Sequence, residues 1–449
     1  MVKLPVVVVG AGPVGLAAAA ELLERGLDPI VLERGAAAGA AVARWHHVRL
    51  FSRWAELVAP AARRLLEKGG WTHPAEDEYP TGEEWAGRYL RPLAEALGAR
   101  VRLGAEVVGV ARRGRDRVVD AGRDTEPLTV HVRTTGGEER ITATAVVDAS
   151  GTWGSPNPLG GDGLPAMGEA AAADRIAYQV PNLGDESVRA RYAGRHVVVA
   201  GSGHSALTAL VALAAVASSI TWLLRRGAVG STFGGGESDQ LPARGALGLA
   251  ARAAVESGRI TVVTGFRAEQ VERDANGRLT LVSADAQRVS DVDEAVVLTG
   301  FRPDLSWLSE LRLDLDATLQ APVALAPLID PNVHSCGTVY PHGVKELAHP
   351  EPNVYLAGMK SYGRAPTFLA MTGYEQVRSI AAALAGDRAA AERVELVLPE
   401  TGVCGGAGLF DAEPDSAESG GCCGAGSTRL SATPPAVQRS RAATVVIGS

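Results

Sequence analysis

Val6 to Val9 is an unbroken run of valines, whereas several segments beyond residue 100 alternate apolar with polar positions. An unbroken apolar run fits a strand covered on both faces, as in a parallel sheet; alternation fits a strand with one wet face. The valine run leads into Gly10-Ala11-Gly12-Pro13-Val14-Gly15, then a helical stretch from Leu16 to Glu24, a turn at Gly26 and a second apolar strand, Pro29 to Leu32. Strand, glycine turn, helix and strand in about thirty residues predict a βαβ unit. A second unit begins at His196, with a strand to Ala200 and the turn Gly201-Ser202-Gly203-His204-Ser205-Ala206. Its helix is predicted from Leu207 to Ala217 and its next strand from Ser219 to Leu224. Between the units, Arg102–Val110, Leu128–Thr134 and Glu139–Val147 alternate around turns such as Thr135-Gly136-Gly137, which predicts an antiparallel excursion. The predicted fold class is α/β, with two Rossmann-like, three-layer dinucleotide-binding domains.

Composition narrows this picture. The 449 residues are 46% hydrophobic and only 5% aromatic, which suits close helix-on-sheet packing better than an all-β sandwich. A net charge of −7 with no basic tract excludes nucleic acid as an expected partner. No apolar run reaches the roughly 18 residues of a membrane helix, so no membrane partner is expected and the protein is placed in the cytoplasm. All four cysteines, Cys336, Cys404, Cys422 and Cys423, fall late in the chain, which argues against a disulfide framework. Residues 399–449 turn rich in Gly, Ala and Ser and read as a disordered, cysteine-containing tail.

The glycine turns carry candidate chemistry because of where they sit. Each follows a strand and opens a helix, so backbone N–H groups and a partial positive charge face any phosphate that approaches. In the first, Gly10, Gly12 and Gly15 give the turn, Pro13 opens the helix, and Glu33 follows Gly10 by 23 residues, where a carboxylate meets a ribose hydroxyl. In the second, Arg225 follows Gly201 by 24 residues, with Arg226 beside it. A carboxylate there would repel a 2′-phosphate, whereas a guanidinium binds one bidentately. The bland alternatives are a glycine turn that binds nothing and a solvated surface arginine. His204 and Ser205 are candidates for phosphate contact or for capping the helix.

With these pieces in place, the chain resembles the two-dinucleotide-binding-domain flavoproteins, the superfamily of thioredoxin reductases and flavin-containing monooxygenases. The matching segments are VVVVGAGPVGLAAAAEL with Glu33, AVVDASGTWGSPNPLG, VVVAGSGHSA with LLRR, AVVLTGFRPD and NVYLAGM. The resemblance implies FAD on the first turn and NADPH on the second. It implies an FAD-binding domain over residues 1–158 and 326–398, with an NADPH-binding domain inserted at 159–325. Gly151 would mark the crossing between domains and Gly300 the return. Gly358 would lie near the flavin, and a helix from Thr367 to Ala385 would point its N-terminus at it. Two cations of that region, Lys360 and Arg364, are the catalytic candidates, since positive charge near the flavin pyrimidine favours its anionic reduced form. Other polar groups expected around the site are His46, His47 and Arg49 together with Tyr340, His342, Lys345, His349 and Tyr362.

No CxxC pair exists, which separates the chain from the thioredoxin reductases. The FxGxxxH fingerprint of the monooxygenases is also missing, its place taken by GLPAMGEAAAADRIAYQVPN. The narrowest resemblance is to the flavin-binding monooxygenase of bacterial arsenic-resistance operons, through WHHVRLFSRW (Trp45–Trp54) and LAGMKSYGRAPTFLAMTGYEQVRSI (Leu356–Ile380). It implies a small-molecule substrate, with a trivalent arsenical as candidate and O2 as co-substrate. No metal site is expected from His46 and His47, but thiolates suit trivalent arsenic, so Cys404, Cys422 and Cys423 are candidates for its capture. Incidental tail cysteines are the equal alternative. A reductase using the tail as a relay, a thiol-based sensor with little turnover and a homodimeric assembly remain open.

Overall fold

The computed structural model describes residues 4–239, 241–333, 341–366 and 368–396, all within one compact unit, Met1–Ala412. Strand β1 (Val6–Val9) is buried along its whole length and pairs in parallel with β2 (Pro29–Glu33). Beyond β2 comes the short parallel strand β3 (Val101–Leu103). The helix Pro13–Glu24 crosses between β1 and β2, starting on its proline and burying Ala17 to Ala20. Alanines along that face let the helix axis lie close to the valine strands.

The chain then leaves the sheet as the antiparallel strands β4 (Glu106–Arg112), β5 (Leu128–Thr134) and β6 (Gly137–Ala143). The segment expected as one strand to Val147 breaks at Thr144, whose N–H donates to Pro5 O at 2.9 Å. Past that break β7 (Ala145–Asp148), buried at every position, joins β1 in parallel. The shift from a largely exposed strand to one buried at every position accompanies the change of partner, so a single strand does not span the whole segment.

The second sheet is built alike. Strand β8 (Ile176–Ala177) forms its edge, and β9 (His196–Ala200) is flanked by β10 (Ser219–Leu223), with β11 (Ile260–Val263) beyond. Helix His204–Leu213 follows β9, beginning three residues before the predicted Leu207 because Gly203 already caps it. A second antiparallel excursion, not anticipated from the sequence, comprises β12 (Ala268–Arg273), β13 (Leu279–Ser283) and β14 (Arg288–Val292). Strand β15 (Glu294–Val297) then pairs with β9, and β16 (Val354–Leu356) returns to pair with β7 in the first sheet. The strand orders are β16-β7-β1-β2-β3 and β11-β10-β9-β15-β8.

Two devices hold the excursions and crossings in place. Glu351, 1% exposed, accepts from Arg112 Nε and Arg123 Nη2, each at 2.6 Å, and ties the first antiparallel arm to the approach of β16. Where the chain passes between sheets, Asn157 N–H donates to Gly300 O and its Nδ2 to Thr299 O, both at 2.9 Å. Beside them Trp153 stacks on Phe301 with ring centroids 4.9 Å apart. No helix of the described residues is long and apolar enough to cross a membrane.

Candidate functional site

The three glycines of the first turn meet three different demands. Gly10 has φ +99°, and a Cβ there would lie 2.8 Å from Ala149 O. A Cβ on Gly15 would lie 1.9 Å from Gly10 O, so this glycine lets the helix start directly against the strand end. Around Gly12 a Cβ would meet nothing within 4 Å. Packing therefore requires the first and third glycines, while the second faces open space at a helix N-terminus, which fits a pyrophosphate. Glu33, at the end of β2, accepts Ala11 N–H at 2.8 Å on one oxygen and Gly35 N–H at 2.7 Å on the other. A carboxylate has about four acceptor positions, so this one keeps capacity for a ribose hydroxyl.

The second turn repeats the strand end, the open second glycine and the helix start, but not the third glycine. Gly201 has φ +129°, and its Cβ would lie 2.3 Å from Leu298 O; Gly203, like Gly12, faces open space. The third position is the fully buried Ala206. Arg225 is exposed beyond β10, 3.4 Å from Gly161 O, and Arg226 is half-buried beside it. His204 stands edge-on to Phe51, with centroids 5.1 Å apart. Burial, seconded by the Arg244 guanidinium, pushes its pKa down to about 4, so the ring is neutral at physiological pH.

One cavity of about 1150 Å³ reaches both turns. Gly10, Gly12, Pro13 and Glu33 line one part of it, His204, Ser205, Thr208 and Arg244 another, and Gly151 and Gly358 line it as well. The remaining turn residues, Gly15, Gly201, Gly203, Gly300, Arg225 and Arg226, do not line it. Of the charged lining groups, Arg34, Arg44, Arg49 and Arg244 outnumber the single carboxylate of Glu33, a balance that suits anionic dinucleotides. Arg244 is buried and held by Asp239 through Nε at 2.9 Å and Nη2 at 2.6 Å. Ala370, the first residue of the helix Ala370–Leu384, also lines the cavity, so the N-terminus of that helix faces it.

The two cations expected to be catalytic lie elsewhere. Lys360, 1% exposed, is bound by Asp148 Oδ2 at 2.6 Å, donates to Ser150 Oγ at 3.1 Å and sits 4.5 Å from the Trp307 ring centroid. An ammonium this deeply buried needs its countercharge, and β7 supplies it in Asp148. Ser150 does line the cavity, so Lys360 is connected to it through its neighbour and does not line it. Arg364 is exposed and donates through Nε to Gln320 Oε1 at 2.9 Å.

The other polar candidates are dispersed. Of those among the described residues, Arg49 alone lines the cavity. His46 meets Asn182 at 3.4 Å, and burial together with His46 lowers the pKa of His47. His349 accepts Asp314 N–H at 3.3 Å, and burial drives its pKa to about 4. Tyr362 is buried against Phe368, His342 is buried behind Gly358, and Lys345 is exposed. Among the described residues no group of three or more His, Cys, Asp or Glu side chains is placed to hold a metal ion. Tyr340, Cys336, Cys404, Cys422 and Cys423 lie outside the described residues. Sequence reasoning missed Ser150, Phe51, Phe368 and Arg244 as cavity residues. Nothing in the local pattern around Arg244 distinguishes it from the other arginines of the chain.

Comparisons with known proteins agree with this geometry. Over 202–207 residues the chain is 30% identical to two indole-3-pyruvate monooxygenases of Oryza sativa subsp. japonica, YUCCA4 and YUCCA1, covering 45% of this chain and 43% of each relative. A ferredoxin–NADP reductase of Paraburkholderia xenovorans is 31% identical over 153 residues, covering 33% of this chain and 38% of the relative. The chain thus spans less than half the length of the curated relatives it matches. Among solved structures, the bacillithiol disulfide reductase Bdr of Bacillus cereus superposes with a TM-score of 0.62 at 21% identity, over 86% of this chain and 99% of that one. The flavin-containing monooxygenase of Stenotrophomonas maltophilia gives 0.53 at 22% identity over the same shares. These likenesses establish the fold, and the homologues imply FAD and a nicotinamide nucleotide as cofactors. The model of the pyridine nucleotide-disulphide oxidoreductase family matches residues 7–325, and the chain belongs to that family of flavin-dependent oxidoreductases.

Proposed function

We propose that this chain is an NADPH-dependent flavoprotein oxidoreductase of the monooxygenase kind, acting on a small molecule. The observation that carries the reading is the single cavity lined by Gly10 and Gly12 of the first turn and by His204 and Ser205 of the second. FAD would lie along Gly10, Gly12, Pro13, Gly15 and Glu33, pass Gly151 and reach Gly358. NADPH would lie along Gly201, Gly203, His204 and Ser205, its 2′-phosphate meeting Arg225 and Arg226. In these terms residues 1–158 and 326–398 form the FAD-binding part and 159–325 the NADPH-binding part.

Bound FAD supplies two-electron chemistry and reactivity with O2. The protein's share is placement and electrostatics. The Gly12 and Gly203 amides and the two helix N-termini hold phosphates, and the N-terminus of Ala370–Leu384 favours negative charge in the cavity. His204 is neutral and so adds no charge beside the bound nucleotide. The substrate we infer first, from the sequence resemblance, is a trivalent arsenical, taken up in the cytoplasm.

The test is product analysis under air with NADPH, with and without an arsenite or organoarsenical probe. Oxygenated arsenical formed in step with NADPH consumption supports the reading. Hydrogen peroxide released at the same rate whether or not the arsenical is present removes the arsenical and moves the chain toward the reductases.

A further inference from the structure

Behind the cavity wall lies a polar cluster that the cofactor assignment does not use. Gln376 is 0% exposed, Ser361 0% and His342 3%. Polar groups buried this deeply have to satisfy one another. Gln376 Oε1 accepts Gly358 N–H at 2.8 Å, which fixes the orientation of its amide. Its Nε2 donates to Ser361 Oγ at 2.9 Å and faces His342 Nε2 at the same distance. The Ser361 hydroxyl donates in turn to Gly358 O at 2.8 Å.

Hydrogen counting leaves one arrangement. The Gln376 amide has two N–H bonds, and with its oxygen committed to Gly358 both must find acceptors. Ser361 Oγ, already donating to Gly358 O, accepts one. His342 Nε2 accepts the other and therefore carries no proton. Flipping the amide would set an NH2 group against Gly358 N–H, donor against donor. Both main-chain polar groups of Gly358 are thus held from behind, at a residue whose φ is +70° and which lines the cavity.

What Gly358 touches on its other side gives the cluster its consequence. A Cβ on Gly358 would lie 3.2 Å from Val14 Cγ2, and one on Gly373 would lie 2.5 Å from the same atom. Val14 follows Pro13 in the first glycine turn and also lines the cavity. The Gly358 turn, the first glycine turn and the helix bearing Gln376 are therefore packed through one methyl group. In a core at interior density, displacement of one member is transmitted to the others.

We propose that Gln376 is a positioning residue for the FAD site, setting the Gly358 turn against Val14 with Ser361 and the unprotonated Nε2 of His342 as its partners. The inference rests on FAD lying along Gly358, as proposed above. The test is FAD binding by deflavinated wild type, Q376M and S361A, followed by fluorescence, with the visible band of the bound flavin recorded. NADPH binding and urea unfolding of each apoprotein are measured alongside.

Q376M, which keeps the volume but loses every hydrogen bond, is expected to bind FAD about tenfold more weakly, the equivalent of about 1.4 kcal/mol. S361A is expected to weaken it about threefold. Both should displace the flavin band and leave NADPH binding within twofold of wild type. FAD affinity and band unchanged in both variants, with apoprotein stability alone reduced, would show a scaffold with no bearing on the cofactor and overturn the proposal. So would equal loosening of NADPH. Should Q376M fail to fold, S361A decides by the same criteria. Failure of the wild type itself to bind FAD would instead strike the proposed function, a separate result.

Discussion

The two glycine turns share a strand end, a helix start and a positive-φ glycine, yet they are built to different tolerances. In the first, Gly15 leaves no room for a methyl group and Glu33 draws Ala11 and Gly35 together at the mouth of the turn. In the second, Ala206 occupies the corresponding place and Arg225 stands exposed where Glu33 is half-buried. A turn braced by a carboxylate is set before its ligand arrives and suits a cofactor that stays. A turn left open, with a cation at its rim, suits a nucleotide that enters and leaves. On the proposed assignment the same βαβ unit would serve retention in one half and exchange in the other, and the difference lies in a few side chains at equal spacing.

The contrast can be broken most severely from beneath. Lys360→Met would strand the buried Asp148 carboxylate next to Ser150. A loss of about 3–5 kcal/mol in urea unfolding is expected, with FAD released. Next comes Gly15→Ala, whose methyl would meet Gly10 O; about 3 kcal/mol and detectable FAD should be lost. The reverse change in the second turn, Ala206→Gly, should cost only about 1 kcal/mol and leave NADPH binding intact. Comparable losses from the two changes would erase the difference in tolerance. Glu33→Gln weakens charge-assisted bonds to Ala11 and Gly35 and to the ribose, so titration should show FAD held about 10–100-fold more weakly.

Arg225→Glu sharpens the comparison by placing in the second turn the charge of the first. The kcat/KM ratio of NADPH to NADH for flavin reduction should fall about tenfold or more, through NADPH alone. An unchanged ratio would remove Arg225 from phosphate recognition.

The smallest effect concerns pH. His204 titrates near 4 in the folded protein against 6.5 for the free side chain. Below pH 6.5 the unfolded chain therefore takes up the proton first, and stability falls as pH drops toward 4. His204→Gln should flatten that slope, by about 1.5 kcal/mol between pH 6.5 and pH 5 in urea unfolding. His349, also near 4, contributes the same sign from outside the site and serves as comparison.

Much of this was legible in the sequence because it is local. Strand, turn and helix in both units follow from valine runs, glycine spacing and the acid or arginine that ends the next strand. The crossing segments at Gly151 and Gly300 were expected only through the resemblance to the two-domain flavoproteins, not from the local pattern. What stayed hidden depends on residues far apart in sequence. Nothing near Lys360 announces Asp148, and nothing near Gln376 announces Gly358, His342 or Ser361. Lys360 follows Gly358 by two residues, and only the fold brings Asp148 of β7 against it. The strand expected through Val147 divides at Thr144 for a related reason, because the neighbours it pairs with change from β5 to β1.

The central claim, that electrons pass from a nucleotide on the second turn to FAD on the first within one cavity, is tested most directly by anaerobic reduction of the bound flavin. Purified protein carrying FAD should lose its visible flavin absorbance on addition of stoichiometric NADPH, and do so far faster than with NADH. A flavin that neither nucleotide bleaches, in protein that demonstrably holds FAD, would contradict the account.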